Sequence, residues 1–103
     1  MTHDAFLAQL AEVRKMFEAQ LPQRIAALQA ACEGALAAPD DRAASAAAGQ
    51  LAHKLAGSSG TFGFPEVGRV AKSLELLFAS FSPARPEQIQ TLLTTIQTAS
   101  KLS

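Results

Sequence analysis

Residues 51–64 read LAHKLAGSSGTFGF, a stretch that contains both the end of a predicted helix and a glycine-rich turn. Three glycines and one histidine lie in this stretch and just before it, at successive spacings of four, four and three residues: Gly49, His53, Gly57 and Gly60. In an α-helix these spacings place the residues on one face. Each glycine inside a helix costs about 1 kcal/mol relative to alanine. The pattern therefore indicates that clearance around one imidazole matters more on this face than helix stability.

The whole chain, residues 1–103, has the length and composition of one small domain with a single core. Nine acidic and nine basic residues give a net charge of zero, which does not favour a nucleic-acid binder. No apolar run is long enough for a membrane span, and residues 1–10 lack a signal-peptide pattern. A single cysteine, Cys32, excludes an internal disulfide and fits a reducing compartment. We expect a soluble cytoplasmic protein.

Apolar residues recur at helical spacing in the first third of the chain. Thr2 is placed to cap a first helix, and Pro22 is placed to begin a second. The apolar stripe of the first comprises Phe6, Leu7, Leu10, Val13, Met16 and Phe17. That of the second comprises Leu21, Ile25, Leu28, Cys32 and Leu36. We interpret Cys32 as a small buried hydrophobe because it lies on this face.

A third helix is predicted from about Asp41 to Ser59 or Gly60. Its inward face comprises Ala44, Ala48, Leu51, Ala52, Leu55 and Ser59. In the turn that follows, Gly60 and Gly63 offer left-handed backbone positions, and Phe62 and Phe64 are expected to fold back onto the core.

Two further helices follow, the fourth beginning at Pro65 and the fifth ending near Ser100. The fourth has an apolar face of Val67, Val70, Ala71, Leu74, Leu77, Phe78 and Phe81, and the fifth one of Ile89, Leu92, Leu93 and Ile96. Short connections between helices of similar length favour antiparallel neighbours. The sequence predicts an all-α fold: an up-down-up-down four-helix bundle that an additional N-terminal helix either precedes or joins.

The helical rotation of the third helix predicts that His53 is exposed. It lies about 200° from Leu51 and Leu55, given 3.6 residues per turn. A neutral imidazole offers a nucleophilic ring nitrogen, and the adjacent Lys54 is long enough to bring an ammonium towards a phosphoryl group. On the fourth helix, a stripe opposite the apolar face comprises Gly68, Lys72, Glu75 and Ala79. If the two helices pack together, Glu75 could orient the imidazole and Lys72 could neutralise a phosphate; spacing alone does not decide which of them reaches it.

The run HKLAGSSGTFGF resembles the signature of histidine phosphotransfer (HPt) domains. Around GTFGF it is similar to the phosphoacceptor domain of chemotaxis-type histidine kinases, and the likeness continues through PEVGRVAKSLE, covering about residues 49–78. The resemblance implies that His53 accepts a phosphoryl group, on Nε2, and exchanges it with an aspartate of a response-regulator receiver domain. It also implies that Glu75 lies near the histidine.

The resemblance further implies a docking face for receivers, comprising Gly49, Gln50, Ala56, Gly57, Gly60 and Gly68. The chain departs from the family pattern at Ala56, where those domains usually carry a lysine. Phosphate stabilisation would then depend on Lys54 or Lys72. The implied partners are receiver domains and a hybrid sensor histidine kinase. We expect no cofactor on this chain, with Mg²⁺ in the receiver.

The residues alone leave two other classes of function open. A metal- or haem-binding bundle would use histidine ligands, but the only other histidine is His3 at the chain start, and no Glu-x-x-His pair exists. A structural adaptor, or a pseudo-HPt domain, would bind receivers without transferring phosphate. Either way, we expect a monomer without a nucleic-acid or membrane partner.

Overall fold

The computed structural model describes residues 2–79 and 85–101, with the main chain only at Arg85. It contains four α-helices: α1 (His3–Ala37), α2 (Arg42–Thr61), α3 (Pro65–Ala79) and α4 (Arg85–Lys101). Within these ranges every regular element is helical, so the predicted all-α class is confirmed. The apolar position predicted at Phe81 lies outside the described residues.

The four helices surround one core in chain order. Contacts join α1 to α2, α2 to α3, α3 to α4 and α4 back to α1, and the α2–α3 contact is the most extensive. The largest fully buried apolar side chains lie on the three helices α1, α3 and α4: Leu28, Leu74, Ile89, Ile96, Val67 and Val70. Because α2 contributes small residues such as Ala48 and Ala52 to this core, α3 can approach it closely.

The N-terminal helix is continuous through Pro22, so no new helix begins there and the additional N-terminal helix joins the first helix of the bundle, the second of the two predicted arrangements. A proline inside a helix removes one backbone hydrogen bond and costs roughly 3 kcal/mol. Leu21 and Ile25 on either side of it are nevertheless buried on the same face as Leu28, while Pro22 itself is exposed. Burial of an unbroken apolar stripe thus outweighs the local cost, since each such side chain contributes about 2 kcal/mol.

The N-terminal half of α1 extends beyond the bundle. A helix of 35 residues is about 52 Å long, which matches the longest dimension of the molecule, 52 Å. Phe17 is the first buried residue, and all described residues before it are exposed. The predicted apolar stripe of the first helix therefore reaches the core at Phe17, and none of the described residues buries the part of the stripe that precedes it.

The helix ends largely follow their predicted signals. The Thr2 side chain accepts a hydrogen bond from the Ala5 amide at 3.2 Å, and Asp41 caps α2 by accepting from the Ala44 amide at 3.1 Å. Leu51 departs from its predicted inward position, being 36% exposed. Ala52, which is predicted to face inward beside it, is fully buried.

The turn between α2 and α3 is built on one left-handed glycine rather than two. Gly63 has a φ of +91°, whereas Gly60 lies within α2 and has no positive φ, so its predicted left-handed conformation is wrong. The turn closes through a hydrogen bond from the Phe64 amide to the Ser59 carbonyl at 2.8 Å. Phe62 and Phe64 fold back as predicted, with ring centroids 5.2 and 5.9 Å from that of Phe17.

Cys32 is fully buried in the core, as predicted. Removal from water raises the pKa of its thiol to about 12, with a smaller contribution from the charge of Glu33. The thiol is therefore protonated at neutral pH and behaves as a small hydrophobe, not as a nucleophile.

Candidate functional site

The site is centred on His53, which projects from the outer surface of α2. Its neighbours Ala52 and Leu55 are buried against the bundle, so the helical rotation directs the imidazole away from the core. The side chain is 70% exposed, which confirms the predicted position. A group of protein size can therefore reach the ring directly.

Glu75 of α3 holds one side of the imidazole. Its Oε2 lies 2.6 Å from Nδ1 of His53, a contact between adjacent helices. An ionised carboxylate only accepts hydrogen bonds, so Nδ1 is the protonated nitrogen and donates to Glu75. Nε2 is then left with its lone pair exposed. Of the two partners that spacing left open, Glu75 is the one that contacts His53.

Lys72 completes a chain of three charged or polar groups. Its Nζ donates to Oε1 of Glu75 at 2.9 Å, so each oxygen of the carboxylate has a partner. The hydrogen bond from Lys72 is the largest cause that lowers the pKa of Glu75, and the hydrogen bond from His53 lowers it further. Partial desolvation opposes both. Glu75 is thus firmly ionised at neutral pH.

These groups share one shallow groove of about 320 Å³ between α2 and α3. Its walls are formed by His53, Ala56, Gly57, Gly68, Lys72 and Glu75. Ala56 leaves room on the α2 wall, and the ammonium of Lys72 stands on the α3 wall. Lys54 is exposed and does not line this groove. The structure therefore brings Lys72, and not Lys54, into the vicinity of the imidazole.

Close packing within the part of the chain that the structure describes does not require a glycine at Gly57 or Gly60. A Cβ built on either of them meets no other atom within 4 Å. Both residues lie in α2 without a left-handed conformation, so no backbone requirement explains them either. Gly57 lines the groove beside His53. Clearance for a group from outside is the physical reason that remains for it.

The other predicted docking residues have different surroundings. Gly68 is buried where α3 crosses α2, and a Cβ there would lie 3.2 Å from the Ala56 carbonyl oxygen. Its predicted place on the face opposite the core is therefore wrong, because this glycine permits the close approach that forms the groove floor. Gly49 is half-buried against Phe78, whose Cβ would lie 3.6 Å from an added methyl group. Gln50 is exposed and lies outside the groove.

The Lys72→Met variant is expected to raise the pKa of Glu75 towards the ordinary value of a glutamate, because it removes the largest cause of the depression. Since the folded-state pKa is the lower one, the carboxylate's stabilising contacts are complete above the unfolded pKa. They are lost as pH falls through the folded pKa. Carboxyl ¹³C NMR titration measures the midpoint directly.

Arg69→Met is the matched control for this titration. Arg69 forms an equally spaced ion pair with Glu66 on the same helix and lowers the pKa of that residue. Its loss should raise the midpoint of Glu66 and leave that of Glu75 unchanged. An unchanged Glu75 midpoint in Lys72→Met would show that Lys72 does not control this carboxylate.

The described residues contain no group of three or more His, Cys, Asp or Glu side chains that could hold a metal ion. None of the helices in residues 2–79 and 85–101 combines the length and the apolar character that a membrane span requires. His3, the second histidine, lies exposed at the first position of α1.

The fold and the site define a class of protein: a four-helix bundle that presents a carboxylate-oriented imidazole on its surface. The family model of the Hpt domain matches residues 12–101, and the chain belongs to the Hpt domain family. Hpt domains are phosphotransfer modules of two-component signalling that work with response regulators and kinases. No curated protein and no solved structure matches the chain significantly.

Proposed function

We propose that this domain is a phosphocarrier in which Nε2 of His53 accepts a phosphoryl group and exchanges it with the aspartate of a receiver domain. One observation supports this assignment above the others. The imidazole is 70% exposed while its Nδ1 is bound to Glu75 at 2.6 Å. The ring is thereby fixed in the tautomer whose free nitrogen points outward.

In the uptake step, the Nε2 lone pair attacks the phosphorus of the receiver's aspartyl phosphate. A P–N bond forms, the P–O bond to the aspartate breaks, and the carboxylate leaves with the electron pair. The Nδ1 proton stays in place and donates to Glu75, whose negative charge stabilises the positive charge that develops on the ring. Donation to a receiver is the reverse of this step, with the aspartate as nucleophile.

Lys72 is the residue that we assign to the phosphoryl oxygens. It lines the groove that contains His53, and its flexible stem allows the ammonium to contact both Glu75 and an incoming phosphoryl group. Lys72 thus takes the role that the family's lysine has at the position of Ala56. An imidazole and an ammonium are not Mg²⁺ ligands, so in this proposal the metal belongs to the receiver.

The partners in this proposal are receiver domains and a hybrid histidine kinase, which together with this carrier form a phosphorelay. Gly57 supports such partners because it leaves open space beside the nucleophile. We place the relay in the cytoplasm, a reducing compartment in which the single, buried thiol of Cys32 stays reduced.

Incubation with phosphorylated receiver domains and Mg²⁺ tests the proposal. We expect the chain to acquire up to one phosphoryl group per molecule, with the acid-labile, base-stable behaviour of a phosphoramidate. The receivers should lose their label at the same rate. Profiling the organism's full set of receivers identifies the cognate one.

Two results would contradict the carrier function. Acid-stable label would indicate a hydroxyl acceptor instead of a histidine. Stable binding of a receiver without any transfer of label would identify a pseudo-HPt adaptor, the alternative that shares the same docking face.

A further inference from the structure

One carboxylate in the His53 groove serves two partners. Oε2 of Glu75 accepts from Nδ1 of His53 at 2.6 Å, and Oε1 accepts from the ammonium of Lys72 at 2.9 Å. Among the side chains that line the groove, only that of Lys72 is a permanent cation. An imidazole with a lone pair on Nε2 is neutral, so Lys72 balances the negative charge of Glu75 before phosphoryl uptake.

Phosphoryl uptake changes this charge balance. Once Nε2 of His53 has formed the P–N bond while Nδ1 keeps its proton, the ring itself carries a positive charge. The ring then neutralises Glu75 through the hydrogen bond that it already makes. The phosphoryl group brings roughly two negative charges and three acceptor oxygens into the groove. Glu75 therefore no longer needs Lys72 as its cation, whereas the phosphoryl group needs one.

The contact between Lys72 and Glu75 is of a kind that breaks readily. It is a single hydrogen bond from a flexible side chain that is 57% exposed. Exposed ion pairs contribute little to stability, whereas charge-assisted hydrogen bonds to phosphate oxygens are strong. Arg69, one turn earlier on α3, is held more firmly, because its Nε and Nη2 both donate to the carboxylate of Glu66. Of these two cations, Lys72 is the one that can leave its carboxylate.

We propose that Lys72 exchanges partners with each phosphoryl transfer: it binds Glu75 in the free domain and the phosphoryl oxygens in the phosphorylated domain. This inference rests on the carrier function proposed above and adds one step to it. The ammonium moves, and no proton is transferred, since Nδ1 of His53 and Nζ of Lys72 both keep their protons. When the phosphoryl group leaves for a receiver, the P–N bond breaks, the electron pair returns to Nε2, and the ring becomes neutral again. Lys72 then returns to Glu75.

Carboxyl ¹³C NMR at one mildly alkaline pH, where phosphohistidine persists, tests the exchange. The native chain and Lys72→Met, labelled with ¹³C, are compared before and after phosphorylation by an excess of unlabelled phosphorylated receiver that is then removed. In the free domain the Glu75 resonance of Lys72→Met should differ from the native one, because a hydrogen bond to Oε1 is missing. After phosphorylation this difference should be lost, because Lys72 has left Glu75 in the native chain too.

A second measurement does not depend on a variant. In the phosphorylated native chain, the ¹⁵N resonance of the Lys72 ammonium should be shifted from its position in the free domain. The ammonium of Lys15, exposed on α1 and outside the groove, should give the same resonance in both states. A Lys72 resonance that phosphorylation leaves unchanged would overturn the exchange, even where Lys72→Met is phosphorylated too slowly to compare.

Arg69→Met is the matched control for the carboxyl comparison, because Arg69 and Glu66 do not line the groove. Its effect on the Glu66 resonance should be the same in the free and the phosphorylated domain. An effect of Lys72→Met on Glu75 that is equally large in both states would show that Lys72 stays on the carboxylate, and would overturn the exchange while the carrier function stands. A native chain that gives no phosphohistidine signal in ³¹P NMR would overturn both, so the two failures are distinguishable.

Discussion

His53→Gln is expected to abolish phosphoryl uptake from a receiver, with a rate at least about 1,000-fold below that of the native chain, because a glutamine has no nucleophilic nitrogen. The fold should be unaffected. The ring is 70% exposed, and among the described residues Glu75 is the side chain to which it is hydrogen-bonded. We expect the free energy of unfolding to change by no more than about 0.5 kcal/mol, as at other exposed positions.

Single-turnover transfer of label from a phosphorylated receiver measures this rate, and urea unfolding measures the stability. His3→Gln is the matched control, since His3 is the other histidine and is exposed at the start of α1. It should transfer like the native chain. Persistence of acid-labile label in His53→Gln would assign the acceptor to another residue.

Gly57→Leu has the second large expected effect: we expect it to stabilise the fold and to slow phosphoryl transfer. A side chain at this position meets open space within the domain, so replacement of a helical glycine should stabilise the protein by up to about 1 kcal/mol. The same side chain would project beside His53, where a receiver's active site has to approach. We expect the transfer rate to fall by about 100-fold, the effect of losing roughly 3 kcal/mol of productive docking.

Gly34→Leu provides the control for the helical effect. Gly34 is also an exposed helical glycine with open space around it, but it lies near the end of α1 and outside the His53 groove. It should stabilise the chain without slowing transfer. Normal transfer by Gly57→Leu would show that clearance at this position has no role in docking.

Much of the fold follows from local patterns that the sequence displays. The turn residues, the caps at Thr2 and Asp41, and the buried face of α3 obey rules that act within a few residues. Pro22 does not follow such a local rule, because the tertiary packing of Leu21 and Ile25 overrides the local preference for a break in the helix. The same limit applies to the stripe above Phe17: periodicity shows that a face is apolar, not that anything in the chain covers it.

The same distinction between local pattern and tertiary packing applies to the candidate site. The exposure of His53 follows from rotation along a single helix. The identity of its partner depends on how α2 and α3 cross, and therefore on Gly68, whose missing side chain sets the separation of the two helices. The sequence did carry one signal for the Lys72–Glu75 pair, since residues three apart on a helix are neighbours. Once Lys72 is bound to Glu75, the remaining carboxylate oxygen is the one that faces the imidazole.

The central claim is that Nε2 of His53 carries the phosphoryl group while Nδ1 keeps its proton and its bond to Glu75. Two-dimensional ¹H–¹⁵N NMR of the histidine rings, recorded before and after transfer from a phosphorylated receiver, tests it most directly. We predict phosphorus coupling at Nε2 of His53 alone, with Nδ1 protonated in both states. Phosphorus coupling at Nδ1, or a phosphorylated chain with an unaltered His53 ring, would contradict the account.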